Sequence, residues 1–187
     1  MAIHLIGKAA LFAIERHGAQ MYGSRPYHVH LLDAVQVLRR FFDWDKLPQA
    51  FVDAVWLHDV IEDTPTSLAT VHDMFGFAVA GLVDAVTNEP GADRKERQMK
   101  TYPKIRSTPN AITIKLADRI ANLEQCVSHD RFGRPPQKMF WKYVKEWDTF
   151  RSELQGRCAG EGPTEKLMWD YIAEIMAEGQ RKAEKLK

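Results

Sequence analysis

Cysteine is nearly absent: Cys126 and Cys158 are the only two in 187 residues, far apart and without a CxxC spacing or a histidine at zinc-finger distance. A disulfide scaffold and a zinc knuckle are therefore not expected, and both thiols read as reduced and structural. Charge of one sign is also lacking, because 26 Lys and Arg stand against 25 Asp and Glu for a net of +1. No bulk positive field is available to draw in nucleic acid or a membrane surface. Nowhere do about 18 apolar residues run together, the length a membrane span needs. The first twenty residues are interrupted by Lys8, Glu15 and Arg16, with no basic stretch ahead of an apolar one, so no signal peptide is expected. These absences predict a cytoplasmic protein without nucleic-acid or membrane partners. They do not set an oligomeric state.

What is present is an apolar fraction of 45% with 27% charged residues, the balance of a globular chain with mass enough for its own core. No repeat, low-complexity tract or linker divides it, and one domain over 1–187 is expected. Apolar residues recur at helical spacing in nearly every segment, and no alternating β-branched run sits between hairpin turns. The fold class is all-α. Helices are expected from about Ile3 to His17, from Tyr27 through Phe42, and from Gln49 to about Ile61. Two shorter ones flank Gly76, followed by about Asn110 to Val127, Gln137 to Gln155, and Thr164 to Lys185. The stretch Asp93 to Arg106 holds six basic and two acidic residues. It reads either as a solvated helix or loop, or as a docking surface for an anionic substrate. The aromatics Phe140, Trp141, Tyr143, Trp147, Phe150, Trp169 and Tyr171 fall at helical spacing, which favours a core over a base-stacking platform.

Three segments carry chemistry. In Ala54–Thr64 an apolar helix ends in His58, Asp59, Glu62 and Asp63, and the i+3 and i+4 spacings put the three carboxylates on one face. Like charges at the anion-disfavouring end of a helix need compensation. A divalent cation supplies it, with His58 as the nitrogen ligand that distinguishes a transition metal from calcium or magnesium. In Ala111–Leu123 the residues Lys115, Asp118 and Asn122 form a polar stripe on an otherwise apolar helix, read either as an internal Lys–Asp ion pair or as a wall facing something polar. The third segment, Pro26–His30, opens a helix with His28 and His30, and spacing alone does not choose between them.

The segments Ala10–Gln20, Pro26–His30, Leu57–Thr64, Phe75–Gly76, Val83–Thr87 and Lys115–Leu123 follow one another in an order that resembles the motifs of the HD metal-dependent phosphohydrolases. The likeness is to the small alarmone hydrolases and the hydrolase domain of Rel/SpoT proteins. It extends over roughly residues 8 to 155 and implies a compact helical HD domain. It further implies one Mn²⁺ held by His30, His58, Asp59 and Asp118, with His28 a bystander. Glu62 and Asp63 match the acidic pair that orients and deprotonates the attacking water. The reaction implied is removal of the 3′-pyrophosphate from guanosine tetra- or pentaphosphate. Lys115, Asn122 and Tyr143 match nucleotide-pocket positions, and Arg25 and Arg119 are nearby candidates for phosphate charge. Departures include Met21-Tyr22, where a basic residue over the guanine is common, and Glu124, an acid where the family often has a base near ribose or phosphate. Two alternatives remain: an HD hydrolase of another nucleotide such as a deoxynucleotide, a nucleoside monophosphate or a dinucleotide cofactor, and a non-catalytic nucleotide sensor.

Overall fold

The computed structural model describes residues 5–127 and 138–185. The described chain runs α1 (Lys8–His17), β1 (Met21–Tyr22), β2 (Arg25–Pro26), α2 (Tyr27–Phe41), α3 (Gln49–Leu57), α4 (Val60–Asp63), α5 (Leu68–Val86), α6 (Arg94–Ser107), α7 (Ala111–Val127), α8 (Lys138–Leu154) and α9 (Pro163–Glu184). The all-α expectation holds, apart from the small antiparallel hairpin of β1 and β2, in which Tyr22 faces Arg25. Helix α1 begins behind Gly7, later than expected, and the expected starts at Ile3 and Gln137 lie outside the described residues.

Local chemistry explains most boundaries. The Ser67 hydroxyl caps α5 by accepting from the Thr70 amide, and the Asp93 carboxylate caps α6 by accepting from the Glu96 amide. Gly76 leaves helical geometry at φ 84°, a conformation that favours glycine, and splits α5 into the two halves expected from the sequence. By length and composition α5 is also the one helix among the described residues apolar enough to cross a membrane. Here it packs against α3, α6 and α7.

Helix α7 is the axis of the fold. It is buried on nearly every side, through Ile112, Ile114, Leu116, Ala117, Ile120 and Leu123 among others, and it touches α2, α3, α5, α6, α8 and α9. A helix apolar over most of its surface, with one polar stripe, belongs at the centre of its neighbours with that stripe turned to the site. The C-terminal aromatics are core as expected: Phe140, Phe150 and Trp169 are buried, with Phe150 and Trp169 ring centroids 5.1 Å apart. Trp141 is 40% exposed, and Tyr143 turns to a cavity.

One polar tie joins three helices. Arg94 of α6 donates to both oxygens of Glu146 on α8, Gln98 donates to the same carboxylate, and buried Arg119 of α7 stands 3.8 Å from it. Burial raises the Glu146 pKa, but the Arg94 and Gln98 hydrogen bonds and the two guanidinium charges outweigh burial and hold it below the ordinary 4.5. A carboxyl with a depressed folded-state pKa stabilises the fold above its ordinary value, and that stabilisation disappears as pH falls through the folded value. The stability difference between wild type and Glu146→Gln, measured by urea unfolding, should be widest near neutrality and close as the pH drops below 4.5.

Gly179 lies where α9 meets α8, and a Cβ there would stand 2.6 Å from Phe140 Cε2 and 3.0 Å from Val127 Cγ2. Phe140 is fully buried and has no room to retreat. Replacing glycine within a helix normally gains about 0.5–1 kcal/mol, whereas overpacking a core costs about 1–3 kcal/mol. Gly179→Ala should therefore lose stability on balance, read as a lower denaturant midpoint with an unchanged slope.

Candidate metal centre

Four ligand-type residues converge from three parts of the chain. His30 comes from the first turn of α2, His58 and Asp59 from the break between α3 and α4, and Asp118 from the middle of α7. The His30 Nε2 lies 3.4 Å from Asp118 Oδ1 and 3.8 Å from Asp59 Oδ2. His58 Nε2 lies 3.5 Å from Asp118 Oδ1 and 3.0 Å from Asp59 Oδ2. His30, His58 and Asp118 form the tightest group, each offering one atom within 4.8 Å of the others, and Asp59 stands beside it. His28 is half-buried and has no part in the cluster.

The donor set fits a cation. His58 Nδ1 is 2.7 Å from the Val55 carbonyl and must carry the proton to bond it, so the neutral ring presents the Nε2 lone pair to the cluster. That Nε2 is buried without a hydrogen-bond partner. Burial disfavours charge on His58, yet the two facing carboxylates outweigh it and push its pKa well up. Burial likewise works against ionising Asp59 and Asp118, but His58 and His30 beside Asp59, and Lys115 and the two imidazoles beside Asp118, hold both pKa values low. A site that retains its carboxylates ionised and draws a proton onto its imidazole demands positive charge, and a divalent cation meets that demand with the imidazoles neutral.

Surrounding groups hold the ligands. The Tyr27 hydroxyl donates to Asp59 Oδ2 at 2.6 Å, and Lys115 Nζ donates to Asp118 Oδ2 at 3.2 Å. Asn122 donates through Nδ2 to Asp118 Oδ1 and accepts from the Tyr22 hydroxyl through Oδ1. Burial pushes both tyrosine pKa values up, so the hydroxyls keep their protons and donate.

The cluster opens into a cavity of about 330 Å³ lined by Glu62 and Asp63 and by Arg94, Arg97, Lys115 and Tyr143 among others. Glu62 accepts from the Asn88 backbone amide and from Asn88 Nδ2, both at 2.8 Å, while Asp63 accepts from Gln20 Nε2 at 2.8 Å. Gln20 is steadied in turn by His17, whose Nδ1 lies 2.8 Å from Gln20 Oε1.

Several expectations need correction. The chain leaves regular helix at Asp59, with φ −104° and ψ −3°, so Asp59, Glu62 and Asp63 are not a stripe on one unbroken helix. Asp59 turns into the cluster, and the other two take separate partners in the cavity wall. Arg25 does not reach the cavity, because its guanidinium donates to Asp33 at 2.6 Å in a separate depression shared with Arg40 and Glu124. Glu124 is equally removed from the site: Arg40 holds both its oxygens and the Tyr171 hydroxyl donates to one. Arg119 lines the cavity but is only 2% exposed, its guanidinium sandwiched 4.4 Å from the Tyr143 ring and 4.2 Å from the Phe150 ring. Lys115 serves both open readings, as an ion pair with Asp118 and as a cavity-wall residue.

The basic segment resolves into a helix, α6, with Lys95 and Lys100 exposed and Arg94, Arg97 and Gln98 on the cavity. Arg94 is paired with Glu146, whereas Arg97 has no carboxylate partner among the described residues. Neither arginine was singled out by spacing, and a helical reading of 94–107 would have placed 94, 97, 98 and 101 on one face. Asn88, Tyr22 and Tyr27 were also missed, since nothing in composition marks a hydrogen bond between distant segments.

Residues 9–138 match the HD domain family. The guanosine-3′,5′-bis(diphosphate) 3′-pyrophosphohydrolase MESH1 of Xenopus tropicalis is 34% identical over 125 residues, covering 64% of this chain and 68% of that protein. The protein of the same enzymatic name from Aquifex aeolicus is 32% identical over 124 residues, but that match spans only 17% of its length. Among solved structures, a metazoan ortholog of SpoT that hydrolyzes ppGpp superposes with a TM-score of 0.71 at 24% identity, covering 91% of this chain and 94% of the other. This chain belongs to the HD domain family, alongside the small alarmone hydrolases.

Proposed function

We propose that this chain is a metal-dependent hydrolase that removes the 3′-pyrophosphate from guanosine 3′,5′-polyphosphates. The observation that carries the reading is the buried, unpartnered Nε2 of His58, its tautomer set by the Val55 carbonyl, facing His30, Asp59 and Asp118 at the edge of a cavity. Relatives named for this reaction share about a third of their aligned residues with it.

His30, His58, Asp59 and Asp118 would hold one divalent ion, with Mn²⁺ the proposed metal. When bound, such an ion neutralises phosphate oxygens and makes water a stronger acid. Two imidazoles and two carboxylates balance its charge, so the ligand sphere itself does not repel an anionic substrate. Glu62 is the proposed general base, with its carboxylate held toward the cavity by the two Asn88 donors. Asp63, fixed by Gln20, supports Glu62 as the second member of the acidic pair. Across the cavity Arg97 and Lys115 face the phosphates, and Tyr143, rigid on its stacked arginine, forms a wall for the nucleoside.

A second reading, hydrolysis of a different nucleotide at the same centre, is favoured by one observation. Asn122, expected to touch the nucleotide, has its amide engaged by Asp118 and Tyr22. Its capacity to contact the nucleotide is thereby reduced, and the base preference falls to other cavity residues. Liberation of pyrophosphate, and not orthophosphate, from guanosine tetraphosphate by Mn²⁺-loaded protein selects the first reading. Turnover of other nucleotides alone selects the second, and binding without any product selects a sensor.

Chelation should abolish turnover, and added Mn²⁺ should restore it. His58→Ala or Asp118→Ala should lose metal and turnover together, by metal analysis beside rates. Glu62→Gln should retain the metal while kcat falls by about 10²–10⁴-fold. Full activity in that variant removes the general-base assignment. For Arg97→Ala, steady-state kinetics should show KM raised about tenfold, a loss of about 1.4 kcal/mol in phosphate binding, with kcat changed less.

A further inference from the structure

An imidazole that binds a metal through one nitrogen is usually oriented by a hydrogen bond from the other. His58 obeys this through Nδ1 and the Val55 carbonyl. His30 does not, because its Nδ1 is buried and has no hydrogen-bond partner among the described residues. Its Nε2 nevertheless points to within 3.4 Å of Asp118 Oδ1. Something other than a hydrogen bond must set the plane of the ring.

Aromatic surfaces surround it. The Tyr27 and His58 rings meet His30 edge-on, at 5.8 Å and 78° and at 5.4 Å and 71°. Tyr22 alone lies parallel to it, at 4.6 Å and 15°. Edge contacts limit tilt, whereas a parallel ring covers a whole face and resists rotation about the bond joining imidazole to backbone. Tyr22 is itself fixed, by the hairpin pairing with Arg25, by the edge of Tyr27 at 5.8 Å, and by its hydroxyl on Asn122. The same Asn122 donates to Asp118.

We propose that Tyr22 is a positioning residue for the metal centre, its ring supporting His30 in place of the missing Nδ1 hydrogen bond. The inference rests on the metal site of the proposed function and adds to it a support for His30 that the hairpin supplies. A tyrosine that merely filled space would contribute to the stability of the metal-free chain and leave metal affinity alone. A positioning residue separates the two quantities.

Tyr22→Phe retains the flat ring, and Tyr22→Leu retains apolar bulk without it. The full chain and both variants, stripped with a chelator, would be titrated with Mn²⁺ by calorimetry and with Co²⁺ by visible absorption, and their metal-free melting temperatures recorded. The leucine variant should bind Mn²⁺ about tenfold or more weakly and show an altered Co²⁺ spectrum. The phenylalanine variant should stay within about threefold of wild type and keep the wild-type spectrum. Tyr22→Met replaces the leucine variant should that chain fail to fold. Wild-type affinity and spectrum in the leucine variant would overturn the proposal and leave the hydrolase reading standing, as would equal losses in both variants. A wild-type chain that binds neither metal would overturn the proposal and the metal-dependent reading together.

Discussion

Two ionised carboxylates, Asp59 and Asp118, lie against two buried imidazoles, and this electrostatic pairing is what the architecture around α7 is arranged to maintain. Neither carboxylate would stay ionised on the strength of its position alone, since burial favours the neutral acid. Each is offset by several partners: His58, His30 and the Tyr27 hydroxyl for Asp59, and Lys115, Asn122 and the imidazoles for Asp118. The partners come from α2, the break after α3, and α7, so the charge cluster exists only when those elements have already packed. Fold and site are one cooperative unit here, because the apolar sides of α2, α3 and α7 are buried together in a single cluster.

The helix break at His58–Asp59 gives neighbouring acidic residues different environments. A straight continuation of α3 would have aimed Asp59, Glu62 and Asp63 the same way, with mutual repulsion and no distinction among them. Leaving helical geometry at Asp59 turns that residue into the buried cluster, while Glu62 and Asp63, in the short α4, stay on the cavity wall with neutral amide partners. Asp59 thus sits among imidazoles, whereas Glu62 and Asp63 are held by amides. Backbone conformation at one residue separates the two environments.

The sequence made the helices and the His–Asp cluster legible for different reasons. Helices follow from apolar periodicity and from glycine and proline stops, which are local, so Gly76 and Pro48 could be read directly. His58 and Asp59 stood out locally as a charged helix end, whereas their convergence with His30 and Asp118 was legible only through motif order, because spacing within one segment says nothing about a partner in a distant one. Arg25 was misread for the converse reason: proximity in sequence to Tyr27 and His30 suggested proximity to the site, but Asp33, two turns along α2, holds its guanidinium elsewhere. Glu124 was misread likewise, since two steps along α7 from Asn122 turn the side chain about 200° round the helix, to the side where Arg40 holds it.

The cavity wall opposite the acids is where sequence reasoning stopped short. Segment 93–106 was conspicuous for charge, yet charge density alone does not reveal which cations are already neutralised. The structure divides them: Arg94 is paired with Glu146, Lys100 with Glu96, and Lys104 with Glu89, while Arg97 lines the cavity with no carboxylate partner among the described residues. A paired cation has its attraction largely satisfied and adds little to an incoming anion. An unpaired one on the cavity lining keeps its charge available to an incoming phosphate, attenuated by the water it still meets. The number of basic residues in α6 therefore overstates its pull on an anionic substrate, and the discriminating property is which of them lacks an acid within the fold.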